Sequence, residues 1–179
     1  LTWRDIQYLC VETARQINPH DSDWSKIANG KFYSNKYGFG VLDGWAYVQA
    51  AKNWKLVKPQ AWIESPTIQL NNGTMDRDGY YEGGILIEEG GVKSTIEITK
   101  EMMEKNNFEF LEHVTVRVWI DHTRRGDVEV ELLSPTGIRS VLAEMRENDG
   151  AKTGFQGWTF MSVKHWYANP FLIHFPSRF

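Results

Sequence analysis

The sequence predicts a mainly β protein: an antiparallel sandwich preceded by a short two-helix segment. Three observations carry this. Residues 114–120 and 128–132 alternate apolar and polar side chains with period two. Turn signals separate these and further runs at the spacing of a sandwich. The charge also divides: residues 1–58 hold 8 Lys+Arg and 5 Asp+Glu, a net +3, whereas 59–179 hold 12 and 18, a net −6. A shift of that size places a boundary between two structural units at Lys58-Pro59.

In the first unit Thr2 is placed to cap a helix, with Asp5 at the third position of a capping box. Trp3, Ile6, Leu9, Cys10 and Ala14 then fall on one face, and Asn18-Pro19 ends the helix. From Pro19 to Tyr37 there is no period, which predicts loop. Asp43 caps a second helix carrying Tyr47, Ala50, Ala51 and Trp54 at helical spacing. Two helices this short need a further surface against which to bury their apolar faces.

In the second unit Ile96 and Ile98 flank Glu97, and Val114, Val116, Val118 and Ile120 share one side of a strand. Val128, Val130 and Leu132 alternate with Glu129 and Glu131, and the intervening 121–126 reads as a hairpin connection. Ser134-Pro135-Thr136-Gly137 fits a type I turn, with a further strand over 138–142. Val114, Val116, Val118, Val130 and Leu132 are the predicted shared buried face.

The 179 residues, 41% apolar and 24% charged, suit a folded soluble chain rather than a disordered one. No apolar run approaches the roughly 20 residues of a membrane span. A net charge of −3 gives no case for nucleic acid as a partner. A single cysteine, Cys10, permits neither an internal disulfide nor a zinc cage. The eight tryptophans are read as core-forming. Beginning at Leu1 within a helical pattern, the chain reads as a fragment without a legible targeting address.

Catalytic and metal motifs are missing from this reading. There is no G-x-S-x-G, H-E-x-x-H or Walker pattern. Gly38-Phe39-Gly40 fails as a dinucleotide fingerprint because Asp43 holds the third glycine position. Asp76-Arg77-Asp78-Gly79 fails as a calcium loop, since the twelfth position is Ile85 rather than Glu. His20, His113, His122, His165 and His174 lack metal spacing, and Cys10 reads as an inert thiol. Asp121, Asp127 and Asn148-Asp149-Gly150 read as solvated turn carboxylates. Arg125-Gly126-Asp127 matches an adhesion tripeptide but also suits a turn in which glycine takes positive φ. Asn72 begins an N-glycosylation sequon, Asn72-Gly73-Thr74, which matters only in a secreted protein.

Longer stretches are more specific. Leu1-Thr2-Trp3-Arg4-Asp5-Ile6-Gln7-Tyr8-Leu9 resembles the helix after the nucleophile helix in the kexin and furin family of subtilisin-like proprotein convertases. Tyr37-Gly38-Phe39-Gly40-Val41-Leu42-Asp43 resembles the last segment of their catalytic domain. Leu111-Glu112-His113-Val114, Arg124-Arg125-Gly126-Asp127, Ser134-Pro135-Thr136-Gly137 and 157–163 resemble successive signatures of their P domain, a jelly roll.

The resemblance implies a division into 1–58, the end of a subtilisin-like catalytic domain; 59–166, a P-domain-like sandwich; and 167–179, a divergent tail that would leave the sandwich truncated. It implies a calcium-dependent serine endoprotease that cuts precursors after paired basic residues in the late secretory pathway or Golgi. Its triad, its oxyanion asparagine and its calcium ligands would all lie outside this chain, so no catalytic, cofactor or metal residue is assigned. The chain alone is then expected to be inactive, with a catalytic domain as intramolecular partner. A free-standing β-sandwich module for carbohydrate or protein is the alternative, and an exposed aromatic platform would favour it.

Overall fold

A computed structural model describes residues 1–70, 73–78, 81–88, 90–168 and 172–178, with backbone alone at 75, 81, 82 and 172–178. They divide into two compact units, Leu1–Ala61 and Trp62–Phe179.

The first unit opens with helix α1 (Trp3–Thr13). Its capping box is complete: the Thr2 hydroxyl accepts from the Asp5 N–H at 3.2 Å, and the Asp5 carboxylate accepts from the Thr2 N–H at 2.6 Å. The buried face differs from the one periodicity selects. Asp5, Tyr8, Leu9 and Val11 are buried, while Trp3 and Ile6 stay exposed. Asp5 explains the rotation. Its carboxylate also accepts from the Thr2 hydroxyl (2.7 Å), the Trp54 indole N–H (3.0 Å) and the Val57 N–H (2.8 Å). A buried carboxylate must face its donors, and so it fixes which side of α1 points inward.

Helix α1 stops well before Asn18-Pro19, because Arg15 leaves to exchange backbone hydrogen bonds with Val41, both 2.9 Å. Gly40, at φ +123°, permits this approach; a Cβ there would overlap the Arg15 carbonyl oxygen. The predicted loop contains a small hairpin, β1 (Ser25–Lys26) and β2 (Phe32–Tyr33), joined through a tight turn over Ala28–Gly30. Helix α2 (Gly44–Lys52) follows, and the Asp43 side chain accepts from the Ala46 N–H at 2.9 Å. Helices α1 and α2 pack together.

The second unit begins with a minimal hairpin, β3 (Thr74–Met75) and β4 (Tyr81–Glu82). Then come β5 (Val92–Glu97), helix α3 (Lys100–Lys105), β6 (Val114–Ile120), β7 (Glu129–Leu133), β8 (Arg139–Ala143), β9 (Phe155–Ser162) and β10 (Leu172–Arg178). One antiparallel sheet has the order β5-β10-β7-β8; β6 and β9 pair as another. Between these sheets lies the core. Val128, Val130, Ala143 and Phe155 are buried together, with Val118, Ile120, Leu142 and Phe160 packed on them. Val116 and Leu132 form an adjoining cluster lined by Val114 and Val118. All five residues of the predicted inner face thus belong to the core, because alternation sends one set of side chains inward. Ser140 and Ser162 add a buried hydroxyl pair at 2.7 Å between β8 and β9.

Two expectations are revised here, and two features are added to them. Residues 121–126 do not close a hairpin: β6 pairs with β9, and β7 with β8 and β10. The backbone of 125–126 is bonded instead to Arg146, Asp149 and Ala151, which carries the chain from one sheet to the other. Glu131, which alternates with the core residues of β7, is itself buried and paired with Arg139. Helix α3 interrupts the strands where the Thr99 hydroxyl caps it, accepting from Met102 N–H. Finally, the stretch separated as a tail supplies β10, the strand between β5 and β7. Pro176 sits within it opposite Lys93. Towards β7 the ladder pairs His174 with Leu133 and resumes at Ser177 with Val130, leaving the proline, which has no N–H, opposite the interruption.

Candidate functional site

Among the described residues of the second unit, a cluster of charged groups joins the 121–128 connection to the loop after β8. Asp149 takes both ends of the Arg125 guanidinium, at 2.8 Å from Nε and 2.9 Å from Nη2. A third contact comes from Arg146 Nε at 3.3 Å. Arg125 lies over the Trp158 ring at 4.6 Å, and Arg146 over the Phe155 ring at 5.6 Å. Arg124 pairs with Asp127 at 2.8 Å and reaches the Glu147 carbonyl. The Arg125 guanidinium, aided by the Ala151 N–H and Arg146, holds the Asp149 carboxyl down at about 2. Asp149 is therefore a clamp, not a solvated turn carboxylate.

The tripeptide Arg125-Gly126-Asp127 is consumed by this clamp. Gly126 is buried and is needed for close approach rather than for a positive φ, since a Cβ would overlap the Arg146 and Asp149 carbonyl oxygens. An adhesion receptor would find neither arginine nor glycine presented.

The other sequence candidates are dispersed. His113 meets Trp62 edge-on at 5.1 Å, and His122 Nδ1 lies 2.6 Å from the Arg124 carbonyl oxygen. His165 is 1% exposed, its Nε2 has no hydrogen-bond partner, and burial followed by the Lys164 charge pushes its pKa down to about 4. His20 is exposed and Cys10 half-buried. Asp76 accepts from the Asp78 N–H at 2.9 Å, a local turn. Asn72 and Gly79 lie outside the described residues. In the first unit Asp23 accepts from the Ser34 hydroxyl at 2.5 Å, which with the Lys36 and Asn35 contacts holds its carboxyl at about 2. Among the described residues no three His, Cys, Asp or Glu side chains converge as a metal site. No cluster of three acidic side chains that could hold the calcium implied by the resemblance is thus found among them. Among the same residues no helix is long and apolar enough to cross a membrane.

Comparison with known proteins accounts for the clamp's surroundings. The family model described as "Proprotein convertase P-domain" matches residues 111–170, a span that includes the clamp, β6, β7, β8 and β9. Residues 111–170 are thus similar to a proprotein convertase P-domain. It is 46% identical over 166 residues to "Protease KEX1" of Kluyveromyces lactis, covering 93% of this chain and 20% of that protein. It is 39% identical to "Kexin" of Saccharomyces cerevisiae, covering 94% and 20%, and 34% identical to mouse "Furin", covering 95% and 20%. The chain thus spans about a fifth of the length of these relatives. The solved "serine protease of Aeromonas sobria" matches the fold with a TM-score of 0.74 at 20% identity, over 99% of this chain and 33% of that one.

In this region the sequence marked the arginine pair and the acidic turn but not their union. Arg125 and Asp149 are joined across two loops, and no local period links them. Trp158 was legible as part of the 157–163 signature, but not as the ring beneath Arg125. The exposed aromatic platform that would favour a binding module is not found on β6 either. Trp119 is half-buried and lies under the Arg117 guanidinium at 4.9 Å, itself anchored to the Gly157 carbonyl at 3.1 Å.

Proposed function

We propose that the chain is a fragment, lacking the catalytic triad, of a kexin-like serine endoprotease that processes precursors after paired basic residues in the secretory pathway. The observation that carries this reading is the 46% identity to a named protease across both units rather than across the sandwich alone. A self-sufficient binding module would need only the sandwich.

In this reading the P-domain stabilises a subtilisin-like catalytic domain, which supplies the triad and the calcium ligands. Triad chemistry needs a nucleophile within reach of a base that a third group orients. The first unit then belongs to that catalytic domain. Trp3 (60% exposed), Ile6 (45%) and Trp45 (76%) are the apolar residues it would offer there. The folded unit keeps Leu9 and Trp54 for itself, the former fully buried and the latter bonded to Asp5.

A chimera tests the proposal. The matching segment of Kluyveromyces lactis KEX1 is replaced by this chain and the product is expressed in yeast. The expected result is a secreted enzyme that cleaves a Lys-Arg peptide with calcium dependence, while the chain alone does not. A chimera that folds and is secreted but cuts no dibasic peptide would overturn the reading, as would cleavage by the chain alone.

A further inference from the structure

The sequence contains one pair of adjacent basic residues, Arg124-Arg125, followed by Gly126. Paired basic residues are what a "Dibasic-processing endoprotease" is named for, and the Schizosaccharomyces pombe protein of that name is 42% identical to this chain. We infer that the Arg125–Gly126 bond is a conformationally masked cleavage site, closed to a dibasic endoprotease in the folded P-domain and opened when the Asp149 clamp lets go. This rests on the proposed function for its biological meaning: the enzyme would find in its own chain a substrate visible only when the domain is misfolded.

Every element that such a protease reads is already occupied. A protease cleft takes the residues around the scissile bond as an extended strand, whose backbone groups bond to the cleft. Here Arg125–Asp127 forms a tight helical turn. The Arg125 N–H donates to the Ala151 carbonyl at 2.8 Å, and the Gly126 N–H to the Asp149 carbonyl at 2.9 Å. The Gly126 carbonyl accepts from the Arg146 N–H at 2.8 Å, and the Arg125 carbonyl from the Arg146 guanidinium at 3.2 Å. The scissile carbonyl is thus itself engaged.

The two arginine side chains are no freer. Arg125 is held by both Asp149 oxygens and the Trp158 face, and Arg124 by Asp127 and the Glu147 carbonyl. Gly126 is buried, so no enzyme group can approach the bond without the 144–151 loop moving away. Cleavage then follows the population of the opened form rather than the exposure of the closed one. The step is a hydrolysis. One water adds across the bond, its hydroxyl to the Arg125 carbonyl carbon and its proton to the Gly126 amine, giving 1–125 and 126–179.

Purified Saccharomyces cerevisiae kexin is the probe, with denaturing electrophoresis and mass spectrometry as the readout. Three substrates are compared: the full chain, its Asp149→Ala variant, and a free peptide of residues 120–130. The peptide should be cut after Arg125. The full chain should resist at that bond, and Asp149→Ala should be cut there at least about tenfold faster than the unaltered chain, a factor equivalent to roughly 1.4 kcal/mol of easier opening.

If Asp149→Ala should lose the fold altogether, Asp149→Asn, which keeps the side chain's shape and drops its charge, takes its place under the same expectation, and a further variant tests the need for the basic pair. Arg124→Ala with Asp149→Ala opens the same loop without the basic pair, so kexin should no longer cut while trypsin still cleaves after Arg125. An uncut peptide, a full chain cut as fast as the peptide, or an Asp149→Ala rate equal to that of the unaltered chain would each overturn the inference. Because the probe is an external kexin, these outcomes are independent of the chimera, whose failure bears on the proposed function alone.

Discussion

Truncating Phe155 to alanine should cost the sandwich most of its margin. Phe155 is 1% exposed and sits in the cluster with Val128, Val130 and Ala143. It also meets Trp158 and Phe160 edge-on, at 5.3 and 5.4 Å. Removing a buried phenylalanine costs about 3–5 kcal/mol, because lost transfer energy and a residual cavity add. The two edge-on aromatic pairs, each worth ~0.5–1.5 kcal/mol, fall within that range rather than adding to it. A figure of about 4 kcal/mol is therefore expected, against a domain stability of about 5–15 kcal/mol. Hydrogen exchange reads this locally. Protection of the β7 and β9 amides should fall by about a thousandfold, since each 1.4 kcal/mol is tenfold. The control is Met161→Ala, at 63% exposure, which should stay within about 0.5 kcal/mol. If Phe155→Ala lost less than about 1 kcal/mol, or no more than Met161→Ala, the core assignment would be refuted.

Three further outcomes are expected. His165 binds its proton near 4 when folded and at its ordinary 6.5 when unfolded, so acid favours the unfolded chain below about 6.5. Stability should fall by about 2 kcal/mol between pH 7.5 and pH 5, and His165→Phe should flatten that slope in urea titrations; an unchanged slope would remove His165 as its source. Asp5 has its carboxyl held below the usual range, first by the Thr2 hydroxyl and then by the Val57 N–H, so its contribution is present at neutral pH and lost in strong acid. Asp5→Asn should speed exchange of the α1 and Val57 amides at pH 7, and equal exchange would speak against the hub. Gly154, at φ +58°, lies where a Cβ would overlap the Ile120 carbonyl oxygen, whereas Gly150 faces open space. Gly154→Ala should cost more than about 1 kcal/mol and Gly150→Ala within about 0.5 kcal/mol, read by thermal melting.

What the sequence revealed and what it hid follow one physical division. Signals that act within a few residues were legible. Thr2 and Asp5 cap α1, Asp43 caps α2, and the Ser134 carbonyl accepts from the Gly137 N–H at 3.0 Å in the predicted turn. The valine alternation identified the inner face of β6 and β7. Pairings between distant residues were not legible. A turn signal after Ile120 says that the chain bends, not which strand the next one joins, and so β6 and β7 were read as a hairpin. Glu131 is buried beside Arg139 and shares it with Glu129, whose carboxyl is pushed up by its hydrogen bond to Glu131 and by burial. Alternation alone does not show that pairing. Asp5 looked like a helix cap, and it is one; its bonds to Trp54 and Val57, which turn the helix, come from the far end of the unit. Of the clamp, the Arg124-Arg125 pair was visible as a motif, but its lock is assembled only by folding.

The place of β10 sets a schedule for biosynthesis. This strand lies between β5 and β7, yet all of β6 to β9 is made before it. While the ribosome is still delivering that later stretch, β5 and β7 stand apart with a strand-wide gap and backbone groups that no neighbour satisfies. Such edges accept any passing strand, and the wait lengthens wherever translation pauses. A chaperone that recognises extended segments would be needed most during this interval, and synonymous codons ahead of Leu172 would then tune how much nascent chain survives to closure.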